Sequence, residues 1–236
     1  MNFPIDYVSP NIRYGFKVKN DQFGRVVSSY FYDDLEIVAI KEFERHMLDM
    51  VNQDPNRLYT MIELGSNQAY YSLMFHSILK KLGATPRNIL IEALEENLNF
   101  GINHFNMNGF NAESRLYSVG TLEKVFEALK TVSDAAAERC HSFNSNWRTL
   151  SEIFEEFKLD YLDVLQCDID CSEGVLFETS EEIFKNKKIN YIFLSTHGQF
   201  HEISLKFLKE CGYEILLNHD SSFPPVGFDT FIIAKA

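Results

Sequence analysis

The chain is short of basic residues, long apolar runs, cysteine and glycine-rich loops, and each shortage excludes something. Twenty-two Lys and Arg stand against 34 Asp and Glu, for a formal net charge of −12. Nucleic-acid binders need clustered cations against phosphates, and anionic membrane surfaces attract the same groups. Neither a nucleic acid nor a membrane is therefore expected as partner. No window approaches the ~18 consecutive apolar residues of a membrane span. The opening Met1-Asn-Phe-Pro-Ile-Asp6 has no basic segment followed by an apolar one, so no signal peptide is read and a cytoplasmic location is expected. Cys140, Cys167, Cys171 and Cys211 lack the spacing of a disulfide framework. Cys167 and Cys171 without two further ligands do not make a zinc set, so all four read as free thiols.

What is present suits one core. The chain has 236 residues and is 45% hydrophobic, with no linker, low-complexity tract or repeat. The pattern predicts an N-terminal hairpin and cap helix over 1–55, packed on one compact unit over 56–236. Ile12–Val18 and Arg25–Phe31 alternate around Asn20–Gly24, as in a β-hairpin. Leu35–Val51 carries Ile37, Ile40, Phe43, Met47 and Val51 at helical spacing.

The remainder is organised around Leu58-Tyr-Thr-Met-Ile-Glu63-Leu-Gly65-Ser66-Asn67-Gln-Ala69-Tyr70-Tyr71-Ser72. Tyr59–Glu63 reads as a buried strand and Gly65 as a turn that a side chain would crowd. Ser66 or Asn67 is the expected N-cap of a helix bearing Ala69, Leu73, Met74, Ile78 and Leu82 on one face, with Gly83 beyond its end. Strand, glycine turn and helix N-terminus make a nucleotide-cofactor cradle, with backbone N–H groups pointing into the crevice. A dinucleotide pyrophosphate wants three glycines there, and this loop has one. S-adenosylmethionine (SAM) carries no phosphate and can use the acid to hold its amino-acid end. A plain structural turn fits the same residues. A second acid, Glu92, ends the apolar run Asn88–Glu92, 27 residues after Gly65. An acid at that strand tip is placed to hydrogen-bond a ribose diol.

At this point the chain resembles the FkbM-type methyltransferases. The likeness rests on Met61–Ser72, on Ile91–Asn97 with Asn103 and Asn108-Gly109, on Leu162–Glu173, and on Ser195-Thr-His197 after an apolar strand. It covers about Tyr32 to Ala236. Ala69 stands where that family usually has glycine, Ala93 where it has proline, Gln166 where it has lysine, Asp170-Cys171 for a Glu-Gly pair, and Ser195 for an acid. The resemblance implies an α/β, Rossmann-like class I methyltransferase sandwich, SAM as cofactor, and hydroxyls of glycans or polyketide-like molecules as acceptors.

The remaining pattern agrees with that fold. Glu95–Asn108 is a helix burying Leu98, Ile102 and Phe105, and Ser114–Val119 is a third strand. A helical stretch from Leu122 leads to a polar excursion over Ala135–Asn146. Thr149-Leu-Ser-Glu152 is a capping box. Tyr161–Cys167 and Ile189–Ser195 are strands four and five. Tyr213–Asn218 and Phe228–Ala234 have no helix between them and must pair antiparallel. The expected sheet is mostly parallel and seven-stranded, closed by an antiparallel C-terminal strand.

The candidate cofactor-binding residues are Glu63, Gly65, Ser66, Asn67, Tyr71, Ser72, Glu92, Ala93, Val119 and Asp168. Asp168, ending strand four, and His197, ending strand five, are the candidate catalytic groups, since ligands bind at that sheet edge and methyl transfer to a hydroxyl benefits from a base. Each also fits a structural role. No metal ligands are assigned, although Asp168, Asp170 and Glu173 offer oxygen atoms suited to Mg2+. Tyr70, Phe75, Phe100 and Phe105 read as core. The polar Ala135–Trp147 segment suits a sugar face, so a carbohydrate or glycan hydroxyl is the expected acceptor, small molecules included. A polyketide or other natural-product hydroxyl, an NAD-type Rossmann oxidoreductase and a catalytically silent binding domain remain as alternatives. A homodimer is compatible with the sequence.

Overall fold

The computed structural model describes residues 13–18, 34–143, 146–170, 172–219 and 230–236. Helix α1 (Asp34–Gln53) precedes strand β1 (Leu58–Leu64), α2 (Tyr70–Lys81), β2 (Thr85–Glu92), α3 (Glu95–Met107) and β3 (Glu113–Leu116). The short β4 (Ser118–Val119), α4 (Leu122–Lys130), α5 (Asp134–Arg139) and β5 (Trp147–Arg148) follow, then α6 (Leu150–Glu156) and β6 (Leu162–Cys167). The series ends with α7 (Glu173–Thr179), α8 (Glu181–Lys185), β7 (Ile189–Thr196), α9 (Phe200–Glu210), β8 (Glu214–His219) and β9 (Thr230–Lys235).

Seven strands form one sheet in the order β3-β2-β1-β6-β7-β9-β8. All pair in parallel except β9, which runs antiparallel to both β7 and β8. This is the Rossmann-like methyltransferase sheet the pattern predicts. Period-two alternation divides the central strands between two cores. Tyr59 and Met61 of β1 pack with Phe43 and Met47 of α1 and Leu73 and Phe75 of α2. Ile62 and Leu64 pack on the other face with Phe154 of α6, Leu176 of α7 and Leu208 of α9. Helices therefore cover both faces, as parallel strands buried on both sides require.

Local signals account for several boundaries. Thr149 caps α6 reciprocally with Glu152, the capping box read from sequence. Gly83 and Gly212, past α2 and α9, take φ of +83° and +77°, the left-handed geometry of a helix stop. His201 of α9 ties the antiparallel end together: its Nε2 donates to Asn218 Oδ1 (2.8 Å), while Thr196 and Thr230 hydroxyls lie 2.8 and 2.9 Å from Nδ1.

Three expectations need correction or fall elsewhere. Residues 25–31, the second arm of the expected hairpin, lie outside the described residues. In its first arm, Arg13 and Tyr14 sit in a helical turn that Gly15 leaves at φ +74°. Both side chains bind Glu44 of α1, and this anchor overrides the alternation. The third strand is split: Tyr117 N–H donates to Glu92 O, then Ser118 and Val119 leave the main sheet to pair with Trp147 and Arg148. The "irregular" excursion holds α5 and a 3-10 turn at Cys140–Ser142.

At the amino-terminal edge of the sheet, buried Asp163 of β6 accepts Thr60 N–H (2.8 Å) and pairs with Arg57. Its loss would strand a buried donor, a penalty of about 1–3 kcal/mol. Asp163→Ala is expected to lower stability by about 2 kcal/mol in urea unfolding. A change under about 0.5 kcal/mol would show that water replaces the carboxylate there.

Candidate functional site

The sheet reverses its winding between β1 and β6, and ligands of open α/β sheets bind outside the carboxyl ends of strands at such a point. Four strand ends meet there: Leu64 of β1, Glu92 of β2, Cys167 of β6 and Thr196 of β7.

The loop between β1 and α2 is held by backbone bonds. Gly65 and Ser66 N–H both donate to Ile91 O, at 2.9 and 3.0 Å, and Asn67 N–H donates to Glu92 Oε2 at 2.9 Å. These groups extend the β1–β2 pairing instead of pointing into the crevice as the sequence suggested. Gly65, Asn67 and Ala69 all have positive φ, at +72°, +40° and +56°. Gly65 is further constrained, because a Cβ there would lie 1.8 Å from the Asp168 carbonyl oxygen. The helix begins at Tyr70, and its N-cap position is Ala69, without a side-chain cap. The expected Ser66 or Asn67 cap is thus corrected: three left-handed residues turn the chain before helical geometry can start. Helix α3 braces the loop from behind. His104 Nδ1 lies 2.8 Å from Gln68 O, and Gly101 leaves room for Asn67 O, 2.9 Å from where its Cβ would stand.

Acids line the crevice. Glu63 is buried and accepts Ser72 N–H at 2.9 Å. Burial pushes its carboxyl up to about 8, against the hydrogen bonds from Ser72 and Tyr71, with the Asp168 charge adding to the rise. Glu92 is also buried, which raises its carboxyl above the usual range despite bonds from Asn67, Ala93 and Leu94 N–H, and Asp170 adds to that rise. Asp168 and Asp170 stand beyond β6, with Asp170 exposed at φ +47°. His197 gathers the other side: its Nε2 is 3.7 Å from Asp168 Oδ1 and 3.8 Å from Asp170 Oδ1, and its Nδ1 is 2.6 Å from Glu173 Oε1. Glu173 is wholly buried in the first turn of α7. Three carboxylates (Asp168, Asp170 and Glu173) thus face the His197 ring, and the buried Glu63 and Glu92 feel the charges of Asp168 and Asp170 respectively.

The remaining candidates are distributed around this centre. Ser66 and Ser72 are buried within the loop and first helical turn, and Ala93 is half-buried beside Glu92. Tyr71 directs its ring at Phe43 of α1, with centroids 5.3 Å apart, so it packs in the α1 layer. Val119 is buried in the small β4–β5 pair. Tyr70, Phe75 and Phe105 are core, and half-buried Phe100 lies against His104. Trp147 is half-buried, and residues 144 and 145 lie outside the described set. The donor set does not fit Mg2+: Glu173 is committed to His197, and no group of three ligating side chains is disposed around one point among the described residues. Sequence reasoning considered Glu173 only as an oxygen ligand; its contact with His197 joins two elements 24 residues apart and leaves no local pattern.

No family model matches the chain, and no curated protein does. Solved structures do. The METTL16 MTase domain shares 10% identity over 96% of this chain and 75% of its own, with a TM-score of 0.55. The human methyltransferase 10 domain containing protein shares 10% over 96% and 91%, with a TM-score of 0.52. Fibrillarin from Aeropyrum pernix, in complex with natively bound SAM, is a more distant likeness at 12% identity, 76% and 67% coverage and a TM-score of 0.43. The two nearer likenesses establish a fold shared with methyltransferase domains.

The loop geometry makes a paired prediction. Gly65→Ala should destabilise by at least about 2 kcal/mol, through both positive φ and the overlap with Asp168 O. Ala69→Gly should stabilise by about 0.5–1 kcal/mol, because it relieves a left-handed alanine. Thermal midpoints of both variants check this, and a stable Gly65→Ala protein would refute the close approach.

Proposed function

We propose that this chain is a SAM-dependent methyltransferase of FkbM type that methylates a hydroxyl of a sugar or glycan-type acceptor. The observation that carries the cofactor reading is the pair of buried acids, Glu63 and Glu92, at the carboxyl edge of the sheet beside the β1–α2 loop. SAM brings a sulfonium and an ammonium, and both suit carboxylates. A pyrophosphate would meet repulsion from the same groups, which counts against an NAD-type oxidoreductase. Glu63 is the residue for the ammonium end, and Glu92 for the ribose diol, since Oε2 accepts only Asn67 N–H and retains acceptor capacity. The methyltransferase domains with the same fold support the class.

The bound sulfonium supplies an activated methyl group, so the chain's own task is alignment and proton removal. The backbone bonds of Gly65 and Ser66 hold the loop to β2, the Asp168 N–H to Leu64 O bond holds β1 to the end of β6, and Asp168 and His197 flank the acceptor side. Loss of a proton on methylation favours a protic acceptor, which an imidazole beside the crevice can serve. The half-buried Trp147 and the polar excursion before it favour a sugar over a flat apolar molecule.

Ionisation of Glu63 gives the reading a pH signature. Its raised carboxyl keeps a proton in the folded state that the unfolded chain has lost between about 4.5 and 8, so this group weakens the fold as pH rises through that window. A cationic ligand drives that proton off, and its affinity should rise with pH and level off above about 8. Calorimetric titration should therefore give SAM binding roughly tenfold weaker at pH 6 than at pH 7, with no NAD binding. Affinity that is flat over that range would remove Glu63 from the amino-acid end. Glu92→Ala should weaken SAM by about 1–3 kcal/mol through lost ribose bonds, and unchanged affinity would sink its assignment.

Radiolabelled SAM offered with glycans, nucleotide sugars, macrolides and catechols tests the acceptor. Label on the sugars alone is the expected result. Label confined to the other compounds would defeat the sugar assignment, and none anywhere would favour a silent binding domain.

A further inference from the structure

We propose that Glu173 is a positioning residue that fixes the Nδ1–H tautomer of His197, so that Nε2 is the base for an acceptor O–H. The inference rests on the methyltransferase reading and adds the identity of the base, the residue that sets it and the protonation state of the acceptor.

Three observations carry it. Glu173 Oε1 lies 2.6 Å from His197 Nδ1, a short contact between a carboxylate and an imidazole. A carboxylate can only accept, so the proton of that contact resides on Nδ1 and Nε2 becomes the basic nitrogen. Glu173 is wholly buried, and its Oε2 has no hydrogen-bond partner among the described residues. A buried carboxylate with one unpartnered oxygen is costly for a fold to keep, and its one strong contact is to this imidazole. Finally, Nε2 is turned toward Asp168 and Asp170, at 3.7 and 3.8 Å, on the crevice side of the sheet edge. Those charges stabilise the imidazolium that forms when Nε2 takes a proton.

The step balances with a methyl sulfonium donor. A lone pair of the acceptor oxygen forms the O–CH3 bond, the C–S pair stays on sulfur to give a thioether, and the O–H proton passes to Nε2. Deprotonated His197 is restored when that proton leaves to water past exposed Asp170. Asp168 then acts by charge, and His197 is the catalytic residue.

The elements around the pair make the geometry specific. His197 follows β7 and precedes Gly198, while Glu173 opens α7, whose Gly174 lies against Phe200 of α9. Glu173 therefore opens a helix whose next residue is packed against α9, so its backbone cannot shift without opening that packing.

The tautomer can be read directly by long-range 1H–15N NMR on the full chain labelled in histidine, with His197 assigned by its disappearance in His197→Gln. The expected result is the neutral Nδ1–H form in the wild type, and a shift toward Nε2–H in Glu173→Leu, which keeps volume but removes the acceptor. An Nε2–H form in the wild type overturns the proposal, even if Glu173→Leu fails to fold. With the sugar acceptor from the panel, His197→Gln and Glu173→Leu should each lower kcat by about 10²–10⁴-fold with SAM affinity unchanged. The double variant should be no slower than His197→Gln alone, because the two act as a unit. Additive losses would return Glu173 to a structural role. Absence of SAM binding by the wild type sinks the methyltransferase reading and this base with it, whereas SAM binding with the Nε2–H tautomer overturns the dyad alone.

Discussion

The crevice depends on how closely β1 can approach β6 at their carboxyl ends. Asp168 N–H donates to Leu64 O at 3.0 Å, and its carbonyl comes so near Gly65 that one added carbon would collide with it. From that contact the rest follows. Gly65 must leave the strand at once, Ser66 and Gly65 share Ile91 O, and Asn67 reaches the carboxylate of Glu92. The tips of β1, β2 and β6 are thereby drawn to one place with their acids facing inward. Loosening the approach would separate Glu63 from Asp168 and Glu92 from Asp170, the two pairs in which the aspartate's like charge helps to raise the buried glutamate's carboxyl.

Much of the fold was legible because its determinants are local. The alternating cores of β1 and β2, the capping box of α6 and the helix-stopping Gly83 are written in runs of a few residues. The antiparallel closure was readable from a missing helix between two strand patterns. What escaped was governed by distant contacts. Arg13 and Tyr14 alternate like strand residues but fold into a turn because both reach Glu44, some 30 residues away. Strand three changes partners at Tyr117 because a short strand 30 residues later offers Ser118 and Val119 a second edge. Propensity has no access to either event.

The site divides in the same way. Acid-tipped strands announce Glu63, Glu92 and Asp168, since an acid ending an apolar run is a conspicuous pattern. Glu173 lies in an ordinary-looking first turn, where acids are common for helix-dipole reasons, and only the folded chain brings it to His197. Ala69 is the converse case: its departure from glycine was visible in the sequence, but its meaning was not. Its φ of +56° shows that the position demands left-handed geometry, which alanine meets at a cost in strain.

The placement of β9 bears on how the protein is made. That strand lies between β7 and β8, so β8 emerges from the ribosome before the neighbour it must pair with. Until Thr230–Lys235 is synthesised, β7 keeps a bare edge of N–H and C=O groups, and β8 has no place in the sheet. Such an edge is a template for pairing with other chains, and the missing contacts are slow to form because they wait on a strand made after β8. A pause in translation before residue 230 would therefore prolong the interval in which the nascent chain is most prone to aggregate, and chaperone contact would matter most there.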